Sequence, residues 1–553
     1  MTFRDGTLVD WYEWGEKAFE AARTQEVPIC CSLTARWCQP CEEMDDVTYS
    51  EPRTAANLQD RYVPVRVDVD RRPRIRDRYN MGGFPSTVFL TPSGEHITGA
   101  TYLDPEEMRR VFETVDRIWT DEGLDAGRVP RALESSSPPT GQVTAAIEAH
   151  MVEQVRSGFD EEFAGWGTDT KFPLPDAVAF ALKRDRPHAT KTLEAIRTHL
   201  FDSHDGGFYR FAETRRWGDK HREKLADENA ALLSAFVIGY LYTGEAAYRE
   251  TAEKTVEYLT STLWTGEAFA GSQSDGEYYT LPPSERTEAA PPAVDETIFA
   301  DRNGIVVDAL LRFVAVTDHD EASKYAERSL DHVIDTHLVD GTLRHYVDPN
   351  VESPESSDEN VSGLLVDHAR VLAGLTTAVQ VLGPDVWLEP ATLIADDAID
   401  RLVTSSGAFV DGDTTGEGLL DRPLRPLETN AEMATALLDL WALTGDEHYR
   451  RIAGEALAAF AGAADRIGIE AAGYATACAR AHYDPLIVRT PPAGSDLHRV
   501  ALRIADHEKV VVPEERDDAL VIRSGTERGP FDSPDALIEG VGDDARGDDP
   551  GAP

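Results

Sequence analysis

Two cysteines three positions apart, Cys38 and Cys41, limit what the first part of the chain can fold into. They lie in the segment RWCQPC (36–41), between a predicted strand and a predicted helix. A cysteine at the start of a helix meets unpaired backbone N–H groups and the positive end of the helix dipole, and both favour its thiolate. We therefore predict that Cys38 is a nucleophile and that Cys41, one turn later, resolves the mixed disulfide.

Two other interpretations of the cysteine pair are a structural disulfide and half of a zinc site. A tetrahedral zinc site needs two further ligands, and the sequence contains no second CxxC. We predict that Cys30, Cys31 and Cys478 are small buried apolar side chains. The expectation is therefore no metal, and no cofactor other than the redox-active disulfide of Cys38 and Cys41.

The elements around the cysteine pair predict an α/β domain, which we place at residues 1–125, followed by a linker at 126–141. The linker ends in the polar, proline-containing stretch ESSSPPTG (134–141). The strand at 62–70 shows alternating valines, the period-2 pattern of a β-strand. The other predicted elements are a helix at 11–24, a strand at 28–33, a hairpin at 84–90 and 95–100, and a helix at 104–116.

Residues 142–480 predict helix after helix. The segments YTGEAAYRETAEKTVEYL from Tyr242 and LTGDEHYRRIAGEALAAF from Leu443 repeat one plan, in which Gly244 and Gly445 end a helix. Twelve helices in repeating hairpins predict a closed all-α toroid of the (α/α)6 type, because neighbouring hairpins must stack to bury their apolar faces. The predicted helices are 142–156, 175–184, 188–201, 226–242, 246–262, 301–316, 320–337, 361–381, 390–403, 428–443, 447–462 and 466–479.

The last part of the chain predicts a small α/β region at 481–541 and a disordered tail at 542–553. Four short apolar runs are typical of strands, at 486–489, 500–504, 510–512 and 519–522. The tail is charged and rich in glycine.

The formal net charge is −46, from 100 acidic and 54 basic residues. Such a surface argues against nucleic acid and against an anionic membrane as partners. Nine of the basic residues are lysines, and an acidic, lysine-poor composition is typical of salt-loving microbes, where salt screens self-repulsion. Residues 1–9 lack a signal-peptide pattern and the most apolar stretch, 230–242, is too short to span a bilayer. We expect a cytoplasmic protein.

The segment Gly82-Gly83-Phe84-Pro85 precedes a predicted strand about 45 residues after the cysteines. With the WCxPC pattern, this arrangement resembles the thioredoxin superfamily. The resemblance implies that Pro85 is a cis-proline beside Cys38, and that Trp37, Pro40 and Phe84 support the redox site. Thioredoxins carry a buried carboxylate where this chain has Ser32.

The chain as a whole resembles the spermatogenesis-associated family, in which a thioredoxin-like domain is fused to a helical barrel. The resemblance rests on the segments DWYEWGEKAF (10–19), KFP (171–173), GGFYR (206–210), HREK (221–224) and LVDHA (365–369). Family members usually have Cys-His-Trp-Cys-His where this chain has CQPCE (38–42), so we expect a divergent branch, of haloarchaeal origin.

The helical part of that family is similar to six-hairpin glycosidases and sugar epimerases, whose central cavities bind carbohydrate. This likeness implies a candidate pocket in the ring, with aromatic surfaces for stacking and polar side chains for binding. The candidate residues are Trp166, Tyr209, Arg210, His221, Glu223, Lys224, Asn229, Asp275, Asn303, Asp367 and His368.

The first hypothesis is a thiol/disulfide oxidoreductase that acts on a protein disulfide, is served by a reductase or thiol donor, and uses the toroid to select its partner. The second is a carbohydrate-active enzyme, an epimerase or glycosidase, that holds a carbohydrate-like molecule in the toroid and uses the thioredoxin unit for interaction. The third is a non-catalytic binding scaffold.

Overall fold

The computed structural model describes residues 7–134, 138–350 and 361–547. It contains an α/β domain, a ring of helices and a second, smaller α/β unit, which is the predicted fold class. Residues 135–137 of the predicted linker and 548–553 of the predicted tail lie outside the described residues.

The first domain is built on a five-stranded sheet in the order β1-β3-β2-β4-β5. β1 and β2 run parallel to β3, and β4 runs antiparallel to both β2 and β5. The elements are β1 (Tyr12–Glu13), α1 (Glu16–Gln25), β2 (Ile29–Thr34), α2 (Gln39–Met44), α3 (Pro52–Arg61), β3 (Val63–Asp68), α4 (Pro73–Tyr79), β4 (Ser86–Leu90), β5 (His96–Ala100) and α5 (Pro105–Glu122).

Every residue of β2, β3 and β4 is buried, because helices cover both faces of the sheet. This explains their almost continuous apolar sequences. The predicted helix at 11–24 is wrong at its start. A short strand, β1, comes first, and α1 begins only at Glu16, after the fully extended Gly15.

Twelve helices of the described residues form the ring, alternating between an outer and an inner layer. The outer helices are α6 (Ala145–Ser157), α8 (Arg186–His199), α10 (Ala246–Tyr258), α13 (Asp320–His337), α15 (Pro384–Leu402) and α17 (Glu447–Ala458). The inner helices are α7 (Pro175–Arg184), α9 (Ala226–Thr243), α12 (Ala300–Thr317), α14 (Leu365–Leu382), α16 (Leu427–Thr444) and α18 (Ala472–Tyr483).

Each inner helix packs on the next, and α18 returns to pack on α7, so the predicted toroid is closed. Gly244 and Gly445 end α9 and α16 in the left-handed conformation, with φ of 70° and 75°, as the repeat predicts. α15 begins at Pro384, six residues before the predicted start, with Pro390 inside it.

Short elements connect the helices at one end of the ring. The largest sheet among them has the strand order β13-β10-β9-β8. The elements are β6 (Phe211–Ala212), β7 (Lys220–His221), β8 (Lys224–Leu225), β9 (Ala270–Gln273), α11 (Pro283–Arg286), β10 (Val294–Phe299), β11 (Leu338–Val339), β12 (Thr342–Leu343) and β13 (Tyr346–Val347).

The last unit is a four-stranded sheet in the order β15-β14-β16-β17, with two helices. Its elements are β14 (Ile487–Thr490), α19 (Asp496–Leu502), β15 (Val510–Pro513), β16 (Ala519–Arg523), β17 (Thr526–Phe531) and α20 (Pro534–Gly547). The strand predicted at 500–504 is wrong. Ser495 caps the start of α19, and that helix includes residues 500–502. α20 also extends through 542–547, which we predicted to be disordered.

The two α/β units lie at opposite ends of the inner helices. Asp227, Asp301 and Glu428, in the first turns of α9, α12 and α16, line a cavity with residues of the first domain. The carboxyl-terminal ends of α9, α12 and α14 line a cleft with His507 and Val511 of the last unit. None of the described helices combines the length and apolar character needed to cross a bilayer.

Candidate functional site: a covered disulfide

Cys38 and Cys41 form a disulfide at the start of α2, with their Cα atoms 5.2 Å apart. Cys38 is the N-cap residue, and its Sγ accepts a hydrogen bond from the Cys41 N–H at 3.2 Å. Pro40 lies in the first turn, where a missing N–H is not needed. The local sequence thus places the Cys38 sulfur at the positive end of a helix.

The Phe84–Pro85 peptide is cis, as the resemblance implies. The loop before it is held by Ser86, whose hydroxyl donates to the Gly83 carbonyl at 2.6 Å and accepts from the Met81 N–H at 3.0 Å. The Phe84 ring lies edge-on to Trp37, with the ring centroids 6.1 Å apart.

The ring of helices covers this redox site. The Arg210 guanidinium lies 4.5 Å from the centre of the Trp37 ring, and its nitrogens pair with Glu223 at 3.3 Å and Glu228 at 3.2 Å. Leu225 belongs to the same buried apolar cluster as Trp37 and Cys38. As a result Cys38 and Cys41 are each only 3% exposed.

A second contact between the domains passes through Asp70. Its carboxylate accepts from the Trp37 indole N–H at 2.8 Å and pairs with Arg302 of α12 at 2.7 Å. The orientation of Trp37, beside the disulfide, therefore depends on a residue of the ring.

The remaining cysteines are buried, as predicted. Cys30 and Cys31 are fully buried on β2, and desolvation raises the pKa of both thiols well above the usual value. Burial also raises the pKa of Cys478, to about 12. None of these three has the environment of a nucleophile.

Several residues predicted for the ring pocket are instead structural. Asn229 binds the backbone of Phe208 through both its amide atoms, and Asn303 does the same for Phe269. Asn430, which the sequence did not single out, repeats this arrangement with Phe409. These buried amides fasten a connecting loop to the start of three of the inner helices, α9, α12 and α16.

Lys224 and Trp166 also serve the connecting loops. The Lys224 ammonium is fully buried and donates to Asp202 at 3.0 Å and to the Gly206 carbonyl at 2.7 Å. Lys171 makes the equivalent contact with Asp160 at 2.9 Å, so the lysines of the two loops have one role. Trp166 is 2% exposed, which leaves no surface for stacking on a ligand.

His221, Glu223 and Arg210 form a chain of contacts on the redox side, outside the ring. His221 lies 2.7 Å from Glu213 and 3.6 Å from Glu223. The hydrogen bond to Glu223 raises the pKa of His221 above its usual value. Asp275, close by in sequence to β9, accepts from the Arg222 N–H at 3.1 Å.

The other candidates are also dispersed. The Tyr209 hydroxyl accepts from Arg286 at 3.4 Å, and His368 lies 2.9 Å from Asp397. Asp367 pairs with His345 at 2.8 Å. The structure brings Arg210, His221 and Glu223 together beside the redox site, and a shared ring pocket for all the candidates stays a prediction. Most of the candidates lie in connecting segments between helices, where the sequence pattern gives no direction for a side chain.

The cavities of the ring are lined by other residues. A cavity of about 400 Å³ lies between the first domain and the ring, and among its lining residues are Asp70, Asp227, Asp301, His345 and Arg370. A second cavity, of about 270 Å³, lies among the inner helices and shares Arg370 with the first. No candidate pocket residue predicted from the sequence lines either cavity.

Comparison with known proteins places the first domain. A family model described as a protein of unknown function, DUF255, matches residues 4–132. Thioredoxin 1 of Chlorobaculum tepidum is 33% identical over 88 residues, which cover 84% of that protein and 16% of this chain. The chain belongs to the thioredoxin family through its first domain.

The similarity extends beyond the thioredoxin domain. Human spermatogenesis-associated protein 20 is 27% identical over 295 residues, which are 46% of this chain, and the chain spans only 37% of that relative's length. This match confirms the resemblance to the spermatogenesis-associated family. A sugar epimerase from a ruminal bacterium superposes with a TM-score of 0.46 at 13% identity, over 57% of this chain and 84% of that one.

Proposed function

We propose that this chain is a thiol/disulfide oxidoreductase. The observation that carries the proposal is the Cys38–Cys41 disulfide at the start of α2, in a thioredoxin domain whose Phe84–Pro85 peptide is cis. The start of the helix stabilises a Cys38 thiolate. Cys41 is close enough to Cys38 to resolve a mixed disulfide.

The exchange proceeds in two steps. The Cys38 thiolate of the reduced protein attacks a disulfide sulfur of the partner, which forms a mixed disulfide and releases one partner thiolate. The Cys41 thiolate then attacks the Cys38 sulfur, which restores the Cys38–Cys41 bond and releases the second partner thiolate. Two electrons pass to the partner, and a thiol donor or reductase returns them to the chain.

The ring restricts which partners react. Because Arg210 stacks on Trp37 and Cys38 is 3% exposed, a protein disulfide reaches the sulfur only when this contact opens. We propose that the partner displaces the Arg210 side chain from Trp37. It then binds to the face of the thioredoxin domain that Arg210 had covered. The carbohydrate hypothesis is not part of the proposal, because none of the residues predicted for it lines either of the two cavities described above.

The test uses the full chain with dithiothreitol as donor and two substrates, insulin and oxidised glutathione. We expect catalysed reduction of at least one substrate, and complete loss of the catalysed rate in Cys38→Ser. Cys30→Ala is the matched control, since it removes a thiol that burial keeps protonated. A Cys41→Ser variant should accumulate the mixed disulfide, visible as a mass increase on Cys38.

Equal rates for the wild type and Cys38→Ser on both substrates would refute the proposal. Equal loss in Cys30→Ala would also count against it, because the effect would then come from the fold of β2 and not from the nucleophile.

A further inference from the structure

Three buried side chains meet where the ring faces the thioredoxin domain. Asp301 lies in the first turn of α12, Asp367 lies in the first turn of α14, and His345 precedes β13. One ligand atom from each lies within 4.8 Å of the other two. The three positions are far apart in sequence, so no spacing motif reveals them.

Two carboxylate oxygens of this cluster have no hydrogen-bond partner among the described residues, Oδ1 of Asp301 and Oδ2 of Asp367. Asp367 is fully buried and Asp301 is 8% exposed. Buried polar atoms are nearly always satisfied, because an unpaired one costs about 1–3 kcal/mol. Two unsatisfied carboxylate oxygens beside one imidazole form a donor set that a cation would complete.

The His345 ring is oriented as the ring of a metal-binding histidine would be. Its Nε2 lies 2.8 Å from the Asp70 carbonyl oxygen, which can only accept, so Nε2 carries a proton. Its Nδ1 faces Asp367 Oδ1 at 2.8 Å. A ligating histidine typically donates its other N–H to a backbone carbonyl, which fixes the tautomer and points the free lone pair at the metal.

The second carboxylate oxygen of Asp301, Oδ2, accepts a hydrogen bond from an arginine. Arg370 Nη1 lies 3.2 Å from Asp301 Oδ2 and holds the carboxylate with Oδ1 turned toward the cluster. Asp301, His345 and Arg370 all line the cavity of about 400 Å³. A cation here would have three protein ligands and at least one position open to that cavity.

We propose that Asp301, His345 and Asp367 bind one divalent transition-metal ion of the Zn²⁺ or Mn²⁺ type, facing the cavity between the two domains. A donor set of two carboxylates and one imidazole nitrogen suits these ions better than Ca²⁺ or Mg²⁺, which prefer oxygen ligands. In the metal-free form, a proton on Nδ1 takes the place of the metal and joins His345 to Asp367.

The experiment uses full-length protein treated with a chelator, then reloaded with Zn²⁺ or Mn²⁺ in an excess of Mg²⁺. The Mg²⁺ occupies weak sites on so acidic a surface. After dialysis, metal content is measured by mass spectrometry, and we expect one Zn²⁺ or one Mn²⁺ per chain and a higher Tm in the loaded protein. Asp301→Asn and His345→Gln should lose both the bound metal and the rise in Tm.

Asp77→Asn is the matched control, because Asp77 lines the same cavity and lies outside the cluster. It should keep one metal per chain. Substoichiometric metal in the wild type, or equal metal in the wild type and Asp301→Asn, would overturn the proposal and leave a buried histidine–carboxylate pair. Disulfide exchange by Cys38 is a separate readout, so failure here is distinct from failure of the proposed function.

Discussion

Two sets of buried polar side chains, Lys224 with Asn229 and the cluster at the ring mouth, differ in how their polar atoms are satisfied. In the first, Lys224 and Asn229 make several hydrogen bonds each. In the second, Asp301 and Asp367 each keep an oxygen without a partner. Complete satisfaction is typical of a structural role, whereas unmatched oxygens indicate a ligand that the chain itself does not supply.

The sharpest way to test this contrast is to remove one charge from each region. Lys224→Met should lower the free energy of unfolding by about 3 kcal/mol, because it leaves the buried Asp202 with fewer partners. Asp367→Asn in the metal-free protein should cost less than about 1 kcal/mol, since the amide keeps the shape and its oxygen can still accept the hydrogen bond from His345 Nδ1. Denaturant unfolding in concentrated salt measures both, and equal losses would contradict the contrast.

A smaller change in free energy is expected at the contact between Arg210 and Trp37, which covers the redox site. Arg210→Ala removes the cation that stacks on Trp37, a contact worth about 1–2 kcal/mol when desolvated. We expect iodoacetamide to alkylate reduced Cys38 about tenfold faster in this variant, because a change of about 1.4 kcal/mol in opening is a factor of ten.

Arg222→Ala is the control for Arg210→Ala. It removes a neighbouring arginine of the same segment for which the structure shows no ring contact with Trp37, so it should leave the alkylation rate unchanged. An unchanged rate in Arg210→Ala as well would show that the ring does not limit access to Cys38.

The smallest effect concerns pH at the domain interface. Burial, and then the charge of Asp70, raise the pKa of Asp68 to about 7. A raised pKa adds stability below the unfolded value of about 3.9, and that stability is lost as the pH rises through about 7. The wild type should therefore lose stability relative to Asp68→Asn as the pH rises from about 4 to about 7, measured by thermal melting. Parallel pH profiles would contradict this.

The fold was largely predictable because its signals are local. The helix at 320–337 and the start of α7 at Pro175 lie where periodicity and turn residues place them. The redox site was predictable for the same reason, since strand, CxxC motif and helix are consecutive. The errors at β1 and α19 involve short segments in which one cap or one glycine outweighs the apolar pattern.

The ring pocket was not predictable, because most of its candidates lie in connecting segments, where the sequence pattern does not give the direction of a side chain. Arg210 was selected as a pocket residue, but it reaches the thioredoxin domain because Glu223 and Glu228 hold its guanidinium there. His345 was overlooked because its partners, Asp301 and Asp367, lie on two helices that are distant from it in sequence. An internal repeat would have identified Asn229 and Asn303 as structural, had Asn430 been aligned with them.

The closed ring has an α/β unit at each end of its inner helices, and a cavity or cleft lies beside each unit. The contact that hides the disulfide and the cavity beside His345 belong to one interface. Tilting the thioredoxin domain away from the ring would open the contact and the cavity together. Admission of a small molecule to the ring and exposure of the sulfur to a partner would then be a single event.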